Sequence, residues 1–216
     1  MIYFVRHGQS TANAGGVTMA HAEIPLSGLG RRQAALVAAL LEVEPILLLS
    51  STYVRALETA RPFSEKTSCP ITPHRLLHEF SALDAELIDG MVTAQRRPIA
   101  DAFWAEADPD LRHGPRSETF REFSGRVAGF AGEMAHLPQD TVLFGHGIWF
   151  ALLCWKLWGF SGDDATVMRE FRRFQRALPM PNCAVYGLEQ AAKGQWRLQA
   201  DEAVMHTIAD LATDRP

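Results

Sequence analysis

Two short apolar segments of this sequence each run directly into a histidine beside a glycine, and this repeated pattern constrains the possible fold strongly. Ile2–Val5 precedes Arg6-His7-Gly8, and Thr141–Phe144 precedes Gly145-His146-Gly147. Continuous apolar runs of this length are typical of strands covered on both faces of a parallel sheet. Because ligands of open α/β sheets bind beside the carboxyl ends of the strands, both histidines are predicted to lie at a functional edge.

A third apolar segment, Ile46–Leu49, is followed by hydroxyl residues and then by Arg55 in the first turn of a predicted helix. A cation at the start of a helix opposes the helix dipole unless an anion binds there too. Arg55 is therefore either a surface side chain neutralised by a neighbour such as Glu58, or part of an anion-binding site. Considered together with Arg6 and His7, the pattern favours the anion-binding site.

The remaining periodicity alternates between helix and strand, which predicts an α/β fold: a three-layer α/β/α sandwich around a mostly parallel central sheet. Ser27 is a predicted N-cap, and Thr119-Phe120-Arg121-Glu122 is a predicted capping box for a helix that Pro138 ends. Further helices are predicted at 31–42, 91–107, 148–158 and 164–175. Further strands are predicted at 70–73, 182–188 and 196–199, the last two joined by a turn at Lys193-Gly194, whereas the tail after Asp201 carries little signal.

Composition narrows the class of protein. A chain of 216 residues without repeats or a linker is expected to form one domain over residues 1–216. The net charge of −4 argues against a nucleic-acid-binding protein, whose surface would be basic. No signal peptide or membrane span is predicted, so a cytoplasmic protein is expected. The three cysteines, Cys69, Cys154 and Cys183, form no metal or disulfide motif. Buried free thiols are expected at Cys154 and Cys183.

His74 and His78 lie four residues apart with Glu79 adjacent, a spacing that would suit a metal site on a helix. The prolines before this segment argue against a long helix, and a third ligand is not evident, so no metal is predicted. The alternative for Glu79 alone is a solvated carboxylate.

The order of these segments resembles the histidine phosphatase superfamily, also called the phosphoglycerate mutase-like family. Arg6-His7-Gly8 matches its first motif, Ser50 to Ala60 matches Ser-x-x-x-x-Arg-Ala-x-x-Thr-Ala, Leu77-His78-Glu79 matches its Leu-x-Glu element, and His146-Gly147 matches its last motif. The resemblance extends from Ile2 to Leu188. Small departures are Gln9 in the first motif and the large residues Phe144 and Ile148 around the last one.

The resemblance implies a phosphomonoester hydrolase with His7 as the nucleophile that becomes phosphohistidine and Glu79 as the proton donor, for which Asp84 and Glu86 are nearby rivals. Arg6 and Arg55 would bind the phosphoryl group together with His146, which is expected to be protonated once the substrate is bound. Asn13 and the Gly147 N–H would add further donors. The other nitrogen of His7 is expected to donate to a backbone carbonyl. The cations are supplied by the protein, so neither a metal nor a cofactor is expected.

The partner implied is a small phosphorylated substrate, covered by the segment at about 80–116, in which Arg96, Arg97, Arg112, His113 and Arg116 would either meet an acidic substrate tail or form a solvated face. Two other functions stay open: a mutase that returns the phosphoryl group to a second hydroxyl, and a module that binds phosphorylated ligands without turnover. The mutases of this family usually carry a longer segment after the acid, so hydrolysis is favoured.

Overall fold

A computed structural model of the chain describes residues 1–191 and 194–213. Its strands are β1 (Ile2–Arg6), β2 (Leu47–Ser50), β3 (Ile71–Pro73), β4 (Thr141–Gly145), β5 (Val185–Gln190) and β6 (Trp196–Ala200). They form one six-stranded sheet in the order β3-β2-β4-β1-β5-β6. The strands from β3 to β1 in this order run parallel, and β5 and β6 are each antiparallel to the preceding strand. The predicted mostly parallel α/β sheet is thereby confirmed.

Helices cover both faces of the sheet. They are α1 (Gly28–Leu40), α2 (Val54–Thr67), α3 (Thr93–Glu106), α4 (Phe120–Met134), α5 (Gly147–Leu157), α6 (Ala165–Ala177) and α7 (Glu202–Thr213), with a 3₁₀ turn at Arg75–Leu77. Alternate strand residues point to opposite faces: Phe4 packs in the core with α3 to α6, and Val5 packs in the core with α1, α2 and α7. This alternation produces the predicted three layers.

The helix starts were predicted better than the helix ends. Ser27 caps α1, since its Oγ accepts the Gly30 N–H at 3.0 Å, and the Thr119 capping box at the start of α4 is present. The predicted ends were wrong: α1 stops at Leu40 rather than at Glu42, and α4 stops at Met134, well before Pro138. Leu41 after α1 has an extended conformation, and after Met134 the chain continues in turns, in which the His136 N–H donates to the Glu133 carbonyl at 2.9 Å.

The tail after Asp201 forms α7, which the sequence pattern did not reveal. Val204 and Ile208 lie on one face of α7 and are buried in the core beside α1. Lys193 of the predicted β-turn lies outside the described residues, although β5 and β6 pair as antiparallel neighbours. Cys154 and Cys183 are buried free thiols, as expected. In the described part of the chain no helix is long and apolar enough to cross a bilayer.

The sheet brings three motifs to one edge. β4 lies between β2 and β1, with Arg6 opposite Gly145 and Ser50 opposite Phe144. The three strands are parallel, so the residues that follow them emerge side by side at the carboxyl edge. The segments beginning at His7, Ser51 and His146 therefore meet there, although they are far apart in sequence.

The loop after β1 is held against the start of α1. Gln9 is the centre of this contact, because its carbonyl accepts the Ser27 N–H at 2.8 Å and its own N–H donates to Gln33 Oε1 at 2.8 Å. The close approach requires glycine on α1: a Cβ added to Gly30 would lie 2.0 Å from the Gln9 oxygen. The position of the loop, and of His7 within it, therefore depends on the absence of a side chain at residue 30.

We predict that Gly30→Ala lowers the free energy of unfolding by at least about 1–3 kcal/mol, because the new methyl group overlaps the backbone of Gln9. The measurement is equilibrium urea unfolding. Gly28→Ala is the matched control on the same helix, since a Cβ there meets no atom within 4 Å. Equal changes in the two variants would contradict the close-packed contact.

Candidate active site

His7 is held in one tautomer by its own loop. Its Nδ1 lies 2.7 Å from the Gly8 carbonyl oxygen, which can only accept, so the proton is on Nδ1 and Nε2 carries a lone pair. Burial lowers the pKa of His7 well below 6.5, and the positive charges of Arg55 and Arg6 lower it further. The structure thus places a neutral imidazole with an unprotonated Nε2 at the end of β1.

Arg55 lies directly against that nitrogen. Its Nε donates to His7 Nε2 at 3.2 Å and its Nη1 donates to the His21 carbonyl at 2.6 Å. The side chain is buried, and burial lowers the pKa of Arg55 to about 10 while the carboxylate of Glu79 opposes that change. The alternative of a surface arginine neutralised by Glu58 is wrong, because Glu58 accepts the Leu26 N–H instead.

Backbone and side-chain contacts from three further segments fix the first motif. The His7 N–H donates to the Gly145 carbonyl at 3.0 Å, and its carbonyl accepts from Asn182 Nδ2 at 3.2 Å. The Gly8 N–H donates to Thr59 Oγ1 at 3.0 Å, one turn beyond Arg55 on α2. The position of the imidazole is consequently set by β4, α2 and the segment before β5 together.

His146 faces His7 from the end of β4, with their ring centres 5.2 Å apart. Ser51 Oγ accepts the Tyr53 N–H at 3.3 Å and forms a hydrogen bond of 2.9 Å with His146 Nε2. The other ring nitrogen, Nδ1, is buried and has no hydrogen-bond partner among the described residues. Burial and the charge of Arg55 lower the pKa of His146 well below 6.5, so the ring of the ligand-free protein is neutral rather than protonated.

Glu79 lies at the N-terminus of α5, the helix that follows His146. Its Oε2 accepts the Ile148 N–H at 3.1 Å, and its Oε1 accepts the Trp149 N–H at 2.9 Å and the Phe80 N–H at 3.0 Å. Amide donors at a helix start stabilise a carboxylate. Glu79 is half-buried and is oriented by the same helix that carries Gly147.

The rival acids lie elsewhere. Asp84 is buried and its oxygens accept the N–H groups of Arg116 at 2.9 Å and of Glu86 at 3.0 Å, bonds that lower the pKa of Asp84. Glu86 is exposed and paired with the side chain of Arg116. Neither lines the cavity that contains His7.

His74 and His78 do not form a joint site. His74 lies 3.4 Å from Glu133, whereas His78 contacts Thr52 and stacks on Tyr53. Within residues 1–191 and 194–213, no group of three or more His, Cys, Asp or Glu side chains is arranged to hold a metal ion.

A cavity of about 300 Å³ opens over this constellation. It is lined by most of the predicted site residues and by an apolar wall: Arg6, His7, Ser10, Ala12, Asn13, His21, Ile24, Arg55, Glu79, Phe80, Ala82, Leu83, Ile88, Arg96, Ala100, Trp104 and Ile148. Two arginines of this lining, Arg6 and Arg96, each have a buried Nε without a hydrogen-bond partner among residues 1–191 and 194–213. Since buried polar groups are normally satisfied, both guanidinium groups retain unused hydrogen-bonding capacity.

The predicted phosphate-binding residues converge to different degrees. Arg6 lies between the Met180 carbonyl, to which its Nη1 donates, and Gly147, where an added Cβ would lie 3.5 Å from Arg6 Nε. Asn13 is exposed at the cavity mouth, and its Oδ1 accepts from Asn182 Nδ2 at 3.3 Å. Burial lowers the pKa of Arg6, and the carboxylate of Glu79 opposes that change.

Sequence reasoning missed His21, Ser51 and Asn182 as parts of the site. His21 and Asn182 lie in irregular segments, for which the sequence carried no periodic signal. Burial and the charge of Arg55 lower the pKa of His21 to about 4, so it is another neutral imidazole in the cavity. Ser51 could have been found, since its hydroxyl follows the strand that lies beside β4.

Comparison with known proteins identifies the family. The model of the histidine phosphatase superfamily (branch 1) matches residues 2–201. The chain belongs to this superfamily. The match includes both histidine motifs, Arg55 and Glu79, so the expected resemblance is confirmed over nearly the whole chain.

The relatives include proteins named as phosphatases and proteins named as probable mutases. The chain is 27% identical over 177 residues to a glucosyl-3-phosphoglycerate phosphatase of Mycolicibacterium vanbaalenii, covering 77% of this chain and 78% of the relative. It is 25% identical over 224 residues to a protein of Proteus mirabilis named as a probable phosphoglycerate mutase, covering 99% of this chain and 97% of the relative.

Solved structures show the same fold. A mycobacterial glucosyl-3-phosphoglycerate phosphatase superimposes with a TM-score of 0.71 at 25% identity, covering 92% of this chain and 96% of that one. The α-ribazole phosphatase of Shigella flexneri superimposes with a TM-score of 0.73 at 22% identity, covering 92% and 94% of the two chains, and supports the fold alone.

Proposed function

We propose that this protein is a phosphomonoesterase that hydrolyses a small phosphorylated molecule through a phosphohistidine intermediate on His7. The observation that carries the proposal is the unprotonated His7 Nε2, which lies 3.2 Å from Arg55 Nε in a cavity also lined by Arg6 and Glu79. The similarity to a phosphatase supports hydrolysis as the reaction.

In the first step, His7 Nε2 attacks phosphorus while the bond from phosphorus to the leaving oxygen breaks. Arg6, Arg55, His146 and the Gly147 N–H stabilise the charge on the phosphoryl oxygens, and Asn13 adds a donor at the mouth. Glu79 enters this step in its protonated form and gives its proton to the leaving oxygen. Splitting the reaction into two displacements replaces one difficult step by two easier ones.

In the second step, water attacks phosphorus while the bond from phosphorus to His7 Nε2 breaks and returns the lone pair to that nitrogen. Glu79 accepts a proton from the water and regains its acidic form. The phosphate leaves as the free product. The cations that neutralise the phosphoryl group belong to the protein, so the proposed reaction needs no metal ion. Glu79 is favoured over Asp84 and Glu86 because it alone of the three lines the cavity.

A mutase is the second candidate, because a relative that spans nearly the whole chain is named as a probable phosphoglycerate mutase. It would use the same phosphohistidine but return the phosphoryl group to a hydroxyl of the substrate instead of to water. The cavity of about 300 Å³ is at the small end of ligand sites, which suits either a small phosphorylated metabolite or phosphoglycerate.

We predict that His7→Ala lowers the rate of phosphate release from phenyl phosphate by about 10⁴-fold or more, because the nucleophile is removed. His206→Ala is the control: it removes an exposed imidazole on α7 and should retain full activity. Phosphate release by the natural protein should persist when a chelator is present. A rapid quench without acid should trap a phosphorylated enzyme that is stable to base, and it should do so only when His7 is intact.

Activity that survives in His7→Ala would reject the mechanism. Transfer of the phosphoryl group to phosphoglycerate, without free phosphate, would identify the mutase instead. Saturable binding of phosphorylated ligands with neither outcome would identify a binding module.

We predict that Glu79→Gln slows hydrolysis of alkyl phosphates by about 10²–10⁴-fold and of nitrophenyl phosphate much less, because a nitrophenolate leaves without needing a proton. The readout is the ratio of kcat/KM for the two esters. Glu86→Gln is the matched control, since Glu86 is exposed and outside the cavity. An equal loss on both esters would assign Glu79 a purely structural role at the start of α5.

A further inference from the structure

The cavity contains more positive charge than a phosphoryl group requires. Arg6 and Arg55 lie beside His7, and Arg96 of α3 lines the same cavity, where Glu79 is the acidic residue among the described lining residues. Two guanidinium groups with donors from His146 and α5 already match the oxygens of one phosphoryl group. Arg96 is therefore available for another part of the substrate.

The contacts of Arg96 leave its guanidinium group partly unused. Its Nη2 donates to Thr93 Oγ1 at 3.0 Å, while its Nε is buried with no hydrogen-bond partner among residues 1–191 and 194–213. Thr93 Oγ1 in turn donates to the Ala12 carbonyl at 3.2 Å, which ties the start of α3 to the loop that carries Asn13. Arg96 is thus held at a fixed distance from the first motif.

The other arginines of the segment at 80–116 all have carboxylate partners. Arg97 lies 3.7 Å from Asp101, and Arg112 and Arg116 pair with Glu122 and Glu86. Neither these three arginines nor His113 lines the cavity, so the expectation of a substrate contact fails for them. Of the arginines in this segment, Arg96 alone lines the cavity and lacks an acidic partner within the described part of the chain.

Much of the remaining lining of the cavity is apolar. Ala100 and Trp104 follow Arg96 at intervals of four residues, so the three share one face of α3. Phe80, Leu83 and Ile88 complete the wall, and Phe80 contacts the Trp104 ring edge-to-face at 5.7 Å. A polar sugar or a peptide would leave its hydroxyl or amide groups without partners against this surface.

We propose that Arg96 determines the specificity for the leaving group, and that the enzyme selects phosphomonoesters with an apolar, ring-sized body that ends in a second anionic group. This inference rests on the proposed phosphatase function. The phosphoryl group lies between Arg6 and Arg55, the body lies against Phe80 and Trp104, and the anion binds the guanidinium fork of Arg96. A bidentate contact of this kind is directional and discriminates an anion from a neutral isostere.

The test compares two substrates of nearly equal shape, meta-carboxyphenyl phosphate and meta-carbamoylphenyl phosphate, together with their para isomers. The natural protein should prefer a carboxylate over its carboxamide in kcat/KM by about tenfold to a hundredfold, chiefly through KM. Arg96→Gln should reduce this ratio to about one, and Arg96→Lys should leave an intermediate ratio. Arg97→Gln is the matched control, because Arg97 is exposed and paired, and it should keep the full preference.

A natural protein without the preference, or an Arg96→Gln protein that retains it, would overturn the inference while leaving the phosphatase proposal intact. If no ester is hydrolysed, the phosphatase proposal fails, and calorimetric titration with the corresponding carboxyphenyl and carbamoylphenyl phosphonates still measures the ratio of affinities. Equal affinity of the natural protein for both phosphonates would overturn the assignment of Arg96 by itself. Equilibrium unfolding of each variant separates loss of discrimination from loss of the fold.

Discussion

The contact between Arg55 Nε and His7 Nε2 is the interaction on which the site depends. It places a positive charge 3.2 Å from a neutral imidazole in a buried environment, and both effects oppose protonation of the ring. An unprotonated nitrogen is what a nucleophile requires, and in the proposed reaction the charge beside it attracts the phosphoryl group. The Gly8 carbonyl completes the arrangement by retaining the other proton on Nδ1.

The fold supplies this contact by bringing neighbouring parallel strands to one edge. His7 and His146 follow adjacent strands, and Arg55 lies in the first turn of the helix after the next strand. Glu79 is held by the amides at the start of α5, the helix that directly follows the last histidine. Backbone geometry therefore organises this part of the cavity, and α3 supplies Arg96, Ala100 and Trp104 to its lining.

Much of this could be predicted from the sequence, because buried parallel strands leave a continuous apolar signal and ordered motifs follow them. The helix ends, α7 and the partners of single side chains could not. Val204 and Ile208 lie four residues apart, which is a helical spacing, but a single pair is too short a pattern to predict α7. The role of Arg96 depends on which neighbouring arginines form ion pairs with carboxylates. Such pairings depend on tertiary packing, which a local sequence pattern does not reveal.

The most direct measurement is a pH titration of the ligand-free protein followed by heteronuclear NMR of the imidazole nitrogens. The account predicts that the ring of His7 has its proton on Nδ1 and stays neutral well below 6.5, the pKa of an unperturbed histidine, because protonation would place two positive charges in contact. The ring should become charged only on further acidification. A His7 ring that carries its proton on Nε2, or that titrates near the ordinary value, would contradict the claim that Arg55 and Gly8 prepare the nucleophile.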